Sequence, residues 1–288
     1  MTTLTKDEVQ RYKRHLVLRE VGAQGQQKLK AARVLVIGAG GLGSPVLLYL
    51  AAAGVGTIGV IDDDRVSIDN LQRQIVHASG RAGMLKVESA AETIRNINPL
   101  VKVEQMAERL TVDNALNVIG RYDIVADGSD NFATRYLTAD ACYFAKKTLV
   151  YAALGSLDGY VSVFKPFERR PDGTPYPTLR CLFPEAPPAG LVANCTEVGV
   201  LGPVAGVIGT LQATEVVKEI VGLGDSLAGR LLIYDAQAGR FETIEVSWDP
   251  DNVLTGSAPT LRNLDVHRGQ SSATCATGHG NSMSFSTS

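Results

Sequence analysis

The chain has 288 residues, with 28 Lys and Arg against 30 Asp and Glu. This length can bury the core of one large domain or two small ones, and we predict one. The nearly balanced charge argues against general binding to nucleic acid or to a membrane surface. The first ten residues are polar, and no run of about 18 apolar residues follows. We therefore expect a cytoplasmic protein with no nucleic-acid and no membrane partner.

The cysteines are few and far apart, at Cys142, Cys181, Cys195 and Cys275. They form no C-x-x-C pair, which argues against a disulfide framework and against a zinc site built from four thiolates.

The chain begins with two predicted amphipathic helices, over residues 6–18 and 24–32. A short apolar run rich in β-branched residues follows at 33–37 and predicts a buried strand. An Ala- and Leu-rich helix over 42–53 ends at Gly54, and a second apolar strand spans 57–61.

The first strand leads into the run Gly38-Ala-Gly-Gly-Leu-Gly43. Gly38, Gly40 and Gly43 fit the G-x-G-x-x-G pattern, in which the backbone turns tightly and approaches phosphate at a helix N-terminus. Asp62 ends the second strand, about the ~20 residues further on where an acid can hold a ribose hydroxyl. A tight turn without a ligand would explain the glycines but not Asp62. We therefore predict nucleotide binding.

The middle of the chain continues to alternate, with a polar loop at 63–81, helices at 84–97, 112–119 and 131–145, and strands at 101–105 and 123–126. This rhythm predicts an α/β, Rossmann-like fold with a mostly parallel, doubly wound sheet and helices on both faces. Ligands of such sheets collect at the carboxyl ends of the strands, where Asp62 and Asp130 also fall.

The second half predicts antiparallel strands that continue the sheet, at 149–153, 160–164, 230–234 and 241–246. A proline-rich stretch over 166–188 predicts a long loop, and an apolar stretch over 203–221 predicts a buried helix. From 256 onwards Ser, Thr and Gly dominate, so we expect a disordered tail over 256–288. The predicted domain spans 1–255, with helices at 1–32, a nucleotide-binding half at 33–153 and a second half at 154–255.

Charged and polar side chains follow the second strand. The loop supplies Asn70, Arg73 and Gln74, and Lys86 begins the next helix. Arg73 and Lys86 are either solvated surface charges or the groups that neutralise a triphosphate. Asp130 could hold Mg²⁺ between phosphate oxygens, or it could cap the helix over 131–145.

A combination of motifs over about residues 6–248 resembles the ubiquitin-activating-like superfamily. Within it, the chain is similar to the molybdopterin-synthase and thiazole-biosynthesis adenylyltransferases (the MoeB/ThiF/HesA group). The motifs that carry the resemblance are R-Y-K-R-H at 11–15, the glycine run, Asp62-x-Asp64, N-L-Q-R-Q at 70–74, Lys86, S-D-N at 129–131, R-C-L-F-P at 180–184 and N-C-T-E at 194–197.

The resemblance implies an adenylyltransferase that uses ATP and Mg²⁺. Its substrate would be the C-terminal Gly-Gly carboxylate of a small ubiquitin-fold sulfur-carrier protein, which attacks the α-phosphate and releases pyrophosphate. We favour the molybdopterin branch. The same chemistry on the thiamine-pathway carrier, a nicotinamide-dependent dehydrogenase and a non-catalytic carrier-binding scaffold remain alternatives.

The resemblance also implies residue roles. Gly41 would contact the nucleotide through its backbone and Asp62 would bind ribose, while Asn131 would lie beside the Mg²⁺ ligand Asp130. Phosphates would be held by Asn70, Arg73 and Lys86. Arg14 would reach the ATP site of a neighbouring subunit, which predicts a homodimer. The half at 154–255 would bind the carrier and contain the crossing loop.

Cysteine positions depart from the family pattern. Cys195 aligns with a cysteine that some relatives use for a covalent bond to the carrier, and otherwise it is a buried, inert residue. Relatives often hold zinc with two C-x-x-C pairs. Here Thr178 replaces the first cysteine of one pair and leaves only Cys181, and no pair follows Pro250. We therefore predict no zinc.

A second departure lies next to the predicted phosphate ligands. Asp69 stands where a serine usually precedes Asn70. Its negative charge would weaken ATP binding unless the side chain points away from the phosphates.

Overall fold

The computed structural model describes residues 3–185 and 199–268. Within these ranges the strands form one eight-stranded sheet with the order β3-β2-β1-β4-β5-β6-β7-β8. The strands are β1 Arg33–Ile37, β2 Thr57–Ile61, β3 Lys102–Met106, β4 Ile124–Asp127, β5 Thr148–Leu154, β6 Asp158–Phe164, β7 Arg230–Asp235 and β8 Arg240–Glu245.

The helices cover both faces of this sheet. They are α1 Lys6–Arg11, α2 Lys13–Leu16, α3 Gly22–Ala31, α4 Gly43–Ala53, α5 Lys86–Ile97, α6 Ala115–Gly120, α7 Phe132–Ala145, α8 Leu179–Leu182 and α9 Gly202–Val221. Short 3₁₀ turns lie at Ile68–Asn70, Ser79–Arg81 and Asp265–His267. No helix in the described ranges has both the length and the apolar character that a membrane crossing requires.

The type of strand pairing changes once along the sheet, at β5. The strands β1 to β5 pair in parallel, and β5 to β8 continue the sheet in antiparallel pairs. The predicted Rossmann-like, doubly wound sheet with antiparallel strands added is therefore confirmed. Parallel pairing brings the carboxyl ends of β1, β2 and β4 to one edge, which is where the predicted site residues follow.

Two cores fill the space on either side of the sheet, because successive strand residues point to opposite faces. Val34 and Val36 of β1 belong to the core that includes residues of α3, α4, α5 and α9. Leu35 and Ile37 belong to the core that includes residues of α6 and α7. The sheet is thus held on both faces, and the loops at its carboxyl edge are left to form a site.

The N-terminal helix predicted over 6–18 is interrupted at Tyr12, between α1 and α2. Tyr12 is buried, and its hydroxyl accepts a hydrogen bond from Asn98 Nδ2 at 2.8 Å. Its ring lies so close to Gly54 that a Cβ there would stand 2.4 Å from Tyr12 Cζ. We attribute the break to this anchored ring, which fixes the chain between two helical segments.

Two further predictions are corrected by packing in the second half. The loop predicted over 166–188 contains α8, whose Leu179 is fully buried. The tail predicted to be disordered from 256 is packed as far as Arg268, since Leu264 and His267 are each only 4% exposed. His267 Nε2 lies 2.8 Å from the Asp140 carboxylate on α7. Residues 186–198 and 269–288 lie outside the described ranges.

Candidate active site

The glycine run turns the chain from β1 into α4 at the carboxyl edge of the sheet. Gly38 has a φ of +85°, and a Cβ on it would lie 3.0 Å from the Gly128 carbonyl oxygen. A Cβ on Gly43 would lie 1.9 Å from the Gly38 carbonyl oxygen, so a side chain cannot fit there. The turn therefore leads tightly into the N-terminus of α4, where unpaired backbone N–H groups and the helix dipole favour phosphate.

Asp62 connects the end of β2 to this turn. Its Oδ2 accepts a hydrogen bond from the Ala39 N–H at 2.7 Å, and its Oδ1 accepts one from the Asp64 N–H at 2.8 Å. Burial raises the pKa of the Asp62 carboxyl, while the nearby Lys86 ammonium acts in the opposite direction. Each carboxylate oxygen retains a further lone pair for a ligand hydroxyl. The geometry suits the predicted ribose contact.

Arg73 lies beside the glycine turn. A Cβ on Gly41 would stand 3.6 Å from Arg73 Cγ, and Arg73 Nη2 donates to Asn70 Oδ1 at 2.9 Å. Gln74 is buried near Gly40, and its Oε1 has no hydrogen-bond partner within the described residues. The loop after β2 thus brings Arg73 and Gln74 to the glycine turn.

Lys86 begins α5 and is only 5% exposed. Its Nζ pairs with Asp64 Oδ2 at 2.8 Å, and the neighbouring Asp63 pairs with Arg109 at 2.8 Å. The three carboxylates at 62–64 approach within 4.8 Å of one another, which could suit a cation. Asp63 and Asp64 are thus held in ion pairs, whereas the partners of Asp62 are backbone N–H groups.

Asp130 follows β4, which is adjacent to β1 in the sheet. The cap of α7 is Asn131, whose Oδ1 accepts a hydrogen bond from the Thr134 N–H at 2.9 Å. The alternative that Asp130 caps this helix is therefore wrong. Asp130 is exposed, and within the described part of the chain its carboxylate makes no hydrogen bond or ion pair. It is available for a cation at the same edge as the glycine turn.

Two predicted residues are not brought to this edge by the described contacts. Arg14 is exposed on α2, and no hydrogen bond among the described residues joins it to the site. Cys195 lies in 186–198, outside the described ranges. The roles predicted for Arg14 and Cys195 stay predictions.

Sequence reasoning missed His77. Its Nε2 lies 2.9 Å from the Ala39 carbonyl oxygen in the glycine turn, and its Nδ1 lies 2.9 Å from Ser89 Oγ on α5. A carbonyl only accepts, so the ring proton belongs on Nε2 and Nδ1 accepts from the serine. Burial lowers the pKa of His77, which favours this neutral ring. Its sequence position, in a polar loop, gives no sign of this contact.

The loop before Asp130 has supporting residues that were also missed. Arg135 Nη2 donates to the Ser129 carbonyl oxygen at 3.1 Å, and the Ser129 N–H donates to the buried Asp127 carboxylate at 2.9 Å. Burial raises the pKa of Asp127. Gln212 Nε2 donates to the Asp127 carbonyl oxygen at 2.8 Å. A polar Gln212 within the largely apolar α9 was the available signal.

The glycine turn, the acid after the next strand and the basic side chains beside them define an α/β nucleotide-binding protein. The model of the ThiF family matches residues 12–254. The chain belongs to the ThiF family, and the resemblance found in the sequence is confirmed.

Similar proteins fall within the same group. The chain is 48% identical over 249 residues to the probable adenylyltransferase/sulfurtransferase MoeZ of Mycobacterium tuberculosis, covering 86% of this chain but only 63% of MoeZ. It is 46% identical to the sulfur carrier protein adenylyltransferase of Thermus thermophilus, covering 90% of this chain and 95% of that protein. The structure of E. coli MccB matches with a TM-score of 0.75 at 20% identity, covering 90% of this chain and 76% of MccB. This last likeness is one of fold.

Proposed function

We propose that the protein adenylates the C-terminal Gly-Gly carboxylate of a small ubiquitin-fold sulfur-carrier protein. A carboxylate oxygen of the carrier attacks the α-phosphorus of ATP, and the bond to the bridging oxygen of pyrophosphate breaks. The products are a carrier acyl adenylate and pyrophosphate. We assign this reaction to molybdopterin biosynthesis, with the thiamine-pathway carrier as the alternative partner.

The observation that carries this proposal is the position of Arg73 against Gly41, at the edge that also presents Lys86 and Asp130. A hydride-transfer site needs the glycine turn and an acid for the ribose, but it has little use for cations at the phosphates. Positive groups aimed at phosphates stabilise the charge that develops on a leaving pyrophosphate. The printed name of the Thermus relative, a sulfur carrier protein adenylyltransferase, adds support.

The residues divide the work by their chemistry. The backbone at 38–43 and the start of α4 would receive phosphate, and Asp62 would accept hydrogen bonds from ribose. Arg73 and Lys86 would neutralise phosphate charge, while the other polar members of the site, Asn70, Gln74, Asp64 and Asn131, would orient these groups. Asp130 would hold Mg²⁺, which prefers carboxylate and phosphate oxygens and neutralises phosphate charge when bound.

We further propose a homodimer in which Arg14 reaches the partner's ATP site, because Arg14 is exposed and unpaired with the site of its own chain within the described residues. The half at 154–255 is proposed to bind the carrier. We propose that the Cys195 thiolate attacks the acyl carbon of the carrier adenylate, so that a thioester forms and AMP leaves. Trapping a thiol-sensitive adduct with and without Cys195→Ala tests this step.

The proposal is tested by ATP–pyrophosphate exchange with purified protein and candidate carriers that end in Gly-Gly. We expect exchange only with a cognate carrier, and its identity assigns the pathway. A carrier without its last two glycines is the matched control and should give none. Exchange that appears only with the thiamine-pathway carrier would replace our pathway assignment.

Two outcomes would overturn the enzymatic proposal. Tight carrier binding and ATP binding with no exchange for any carrier would favour the scaffold. Stabilisation of the fold by NAD and not by ATP would favour the dehydrogenase.

A further inference from the structure

A polar cluster with two buried members, Thr178 and Asn252, lies where α8 meets the segment after β8. We call it the α8 junction and define it by Thr178, Cys181, Asn252 and Thr255. Asn252 is only 4% exposed, and its Nδ2 donates to Thr178 Oγ1 at 2.9 Å and to Cys181 Sγ at 3.0 Å. These contacts join parts of the chain that are 74 and 71 positions apart.

The orientation of the Asn252 amide is fixed by its own turn. Its Oδ1 accepts hydrogen bonds from the N–H groups of Leu254 at 2.8 Å and Thr255 at 3.1 Å. An amide oxygen accepts and the NH₂ group donates, so the NH₂ group must face α8. On the α8 side, the Thr178 N–H also donates to Cys181 Sγ at 3.4 Å. The thiol sulfur is therefore surrounded by donors.

This donor set does not fit the zinc that relatives in the family often hold. The α8 junction keeps the spacing of two C-x-x-C pairs, at 178 and 181 and at 252 and 255, but it contains one sulfur. Structural zinc requires four thiolate or imidazole ligands arranged as a tetrahedron. The NH₂ group of Asn252, the positive end of the amide dipole, points at the one sulfur and opposes a cation there.

We propose that the hydrogen bonds of Asn252 hold the α8 junction together without a metal ion, in place of the zinc site that relatives often have. They hold the segment at 249–255 against α8. The consequence is a folded state that neither contains nor needs zinc. This inference concerns the fold and stands whatever substrate the nucleotide site takes.

The first test measures the metal content of the purified full chain by mass spectrometry and its thermal midpoint with and without a strong zinc chelator. We expect no stoichiometric zinc and no shift of the midpoint on chelation. One zinc per chain, or a midpoint lowered by the chelator, would overturn the proposal.

The second test replaces the donors and keeps the turn. Asn252→Asp retains Oδ1 as acceptor but removes both N–H bonds and leaves a buried carboxylate against Cys181 Sγ. We expect the midpoint to fall by about 4–10 °C. The matched control is Asn263→Asp, an exposed asparagine whose Oδ1 accepts, among the described residues, only from the Asp265 N–H, at 3.0 Å. Equal thermal midpoints for the two variants would contradict this role of the Asn252 hydrogen bonds.

A third variant keeps the test usable if Asn252→Asp does not fold. Thr178→Val removes the hydroxyl acceptor without changing the shape of the side chain, and it should lower the midpoint by a few degrees. Where both variants fold, the double variant should lose less than the sum of the single losses, because the two side chains share one hydrogen bond. Additive losses, or an unchanged midpoint for Thr178→Val, would contradict a direct contact.

Discussion

Two regions differ in how their polar groups are paired. We call the carboxyl edge of the sheet around the glycine turn the nucleotide edge, and we call α8 with its partners Asp140 and His267 the α8 region. Around the glycine turn, buried atoms without a protein partner within the described residues include Gln74 Oε1 and Ser129 Oγ, and the Asp130 carboxylate is exposed and unpaired there. Around α8, the Arg180 guanidinium and the Asp140 carboxylate pair at 2.8 Å, although Thr255 Oγ1 and His267 Nδ1 are buried there without a partner among the described residues. Unpaired polar atoms are costly in the folded chain and useful to a ligand, whereas paired ones serve the fold. The two regions should therefore fail in different ways when altered.

The largest expected effect is a loss of stability on replacing Asp140 in the α8 region. The Asp140 side chain is 1% exposed, and its carboxylate lies 2.8 Å from both Arg180 Nη2 and His267 Nε2. Asp140→Ala leaves the Arg180 charge, whose side chain is only 12% exposed, without its partner, which should reduce the free energy of unfolding by about 3–5 kcal/mol. Urea denaturation measures this loss.

The control for Asp140→Ala is Asp113→Ala, which removes an exposed carboxylate that pairs with Arg268 at 2.8 Å. It should cost less than about 1 kcal/mol. Pyrophosphate exchange per folded molecule should be unchanged in both variants. A similar loss of stability in the two would remove the distinction between the buried and the exposed pair.

The nucleotide edge was largely predictable because its signals are local. Gly38, Gly43 and Asp62 follow consecutive strands, and a parallel sheet brings such positions to one edge whatever the rest of the chain does. His77 could not be found in this way, since its contact with Ala39 spans 38 positions and depends on how the loop returns.

The α8 region was poorly predictable for a related reason. Its contacts join residues as far apart as Asp140 and His267, 127 positions away, and no periodic pattern marks either partner. The average composition after residue 256 is polar, and it hides the two buried side chains Leu264 and His267. Strands and helices follow from patterns along the chain, but pairing between distant polar side chains requires the folded geometry.

The next largest effect is a loss of activity at the nucleotide edge with almost no change in the stability of the fold. Arg73→Met removes the guanidinium and keeps much of the aliphatic stem that lies beside Gly41. We expect pyrophosphate exchange to fall about 100-fold or more, because a preorganised charge at developing phosphate charge is lost. The free energy of unfolding should change by no more than about 0.5 kcal/mol. Arg95→Met, at an exposed position of α5, is the control and should keep full exchange.

A smaller effect tests the connection between the glycine turn and α5. Burial lowers the pKa of His77 below its ordinary value, so the unfolded chain takes up a proton at a higher pH than the folded one. Stability linked to His77 is therefore present above about pH 6.5 and lost as the pH falls below it. In His77→Gln the free energy of unfolding should fall less between pH 7 and 5 than in the unaltered protein. We expect the two falls, measured by urea denaturation, to differ by about 1 kcal/mol. If the free energy of unfolding fell equally with pH in the two proteins between pH 7 and 5, a buried neutral His77 ring would be contradicted.

The smallest expected effect concerns Asp69, beside the predicted phosphate ligands. Its side chain is exposed and accepts a hydrogen bond from the Ser67 hydroxyl, while its carbonyl oxygen receives Arg73 Nη1 at 3.4 Å. An exposed carboxylate acts on phosphate through water, which weakens the repulsion between the two charges. Asp69→Ser should thus lower the KM for ATP by about two- to fivefold, and Asp69→Asn, which keeps the shape, should do the same. Because salt screens exposed charges, this decrease in the KM for ATP should become smaller as ionic strength rises. A decrease that does not depend on ionic strength would point to a direct contact between Asp69 and the nucleotide.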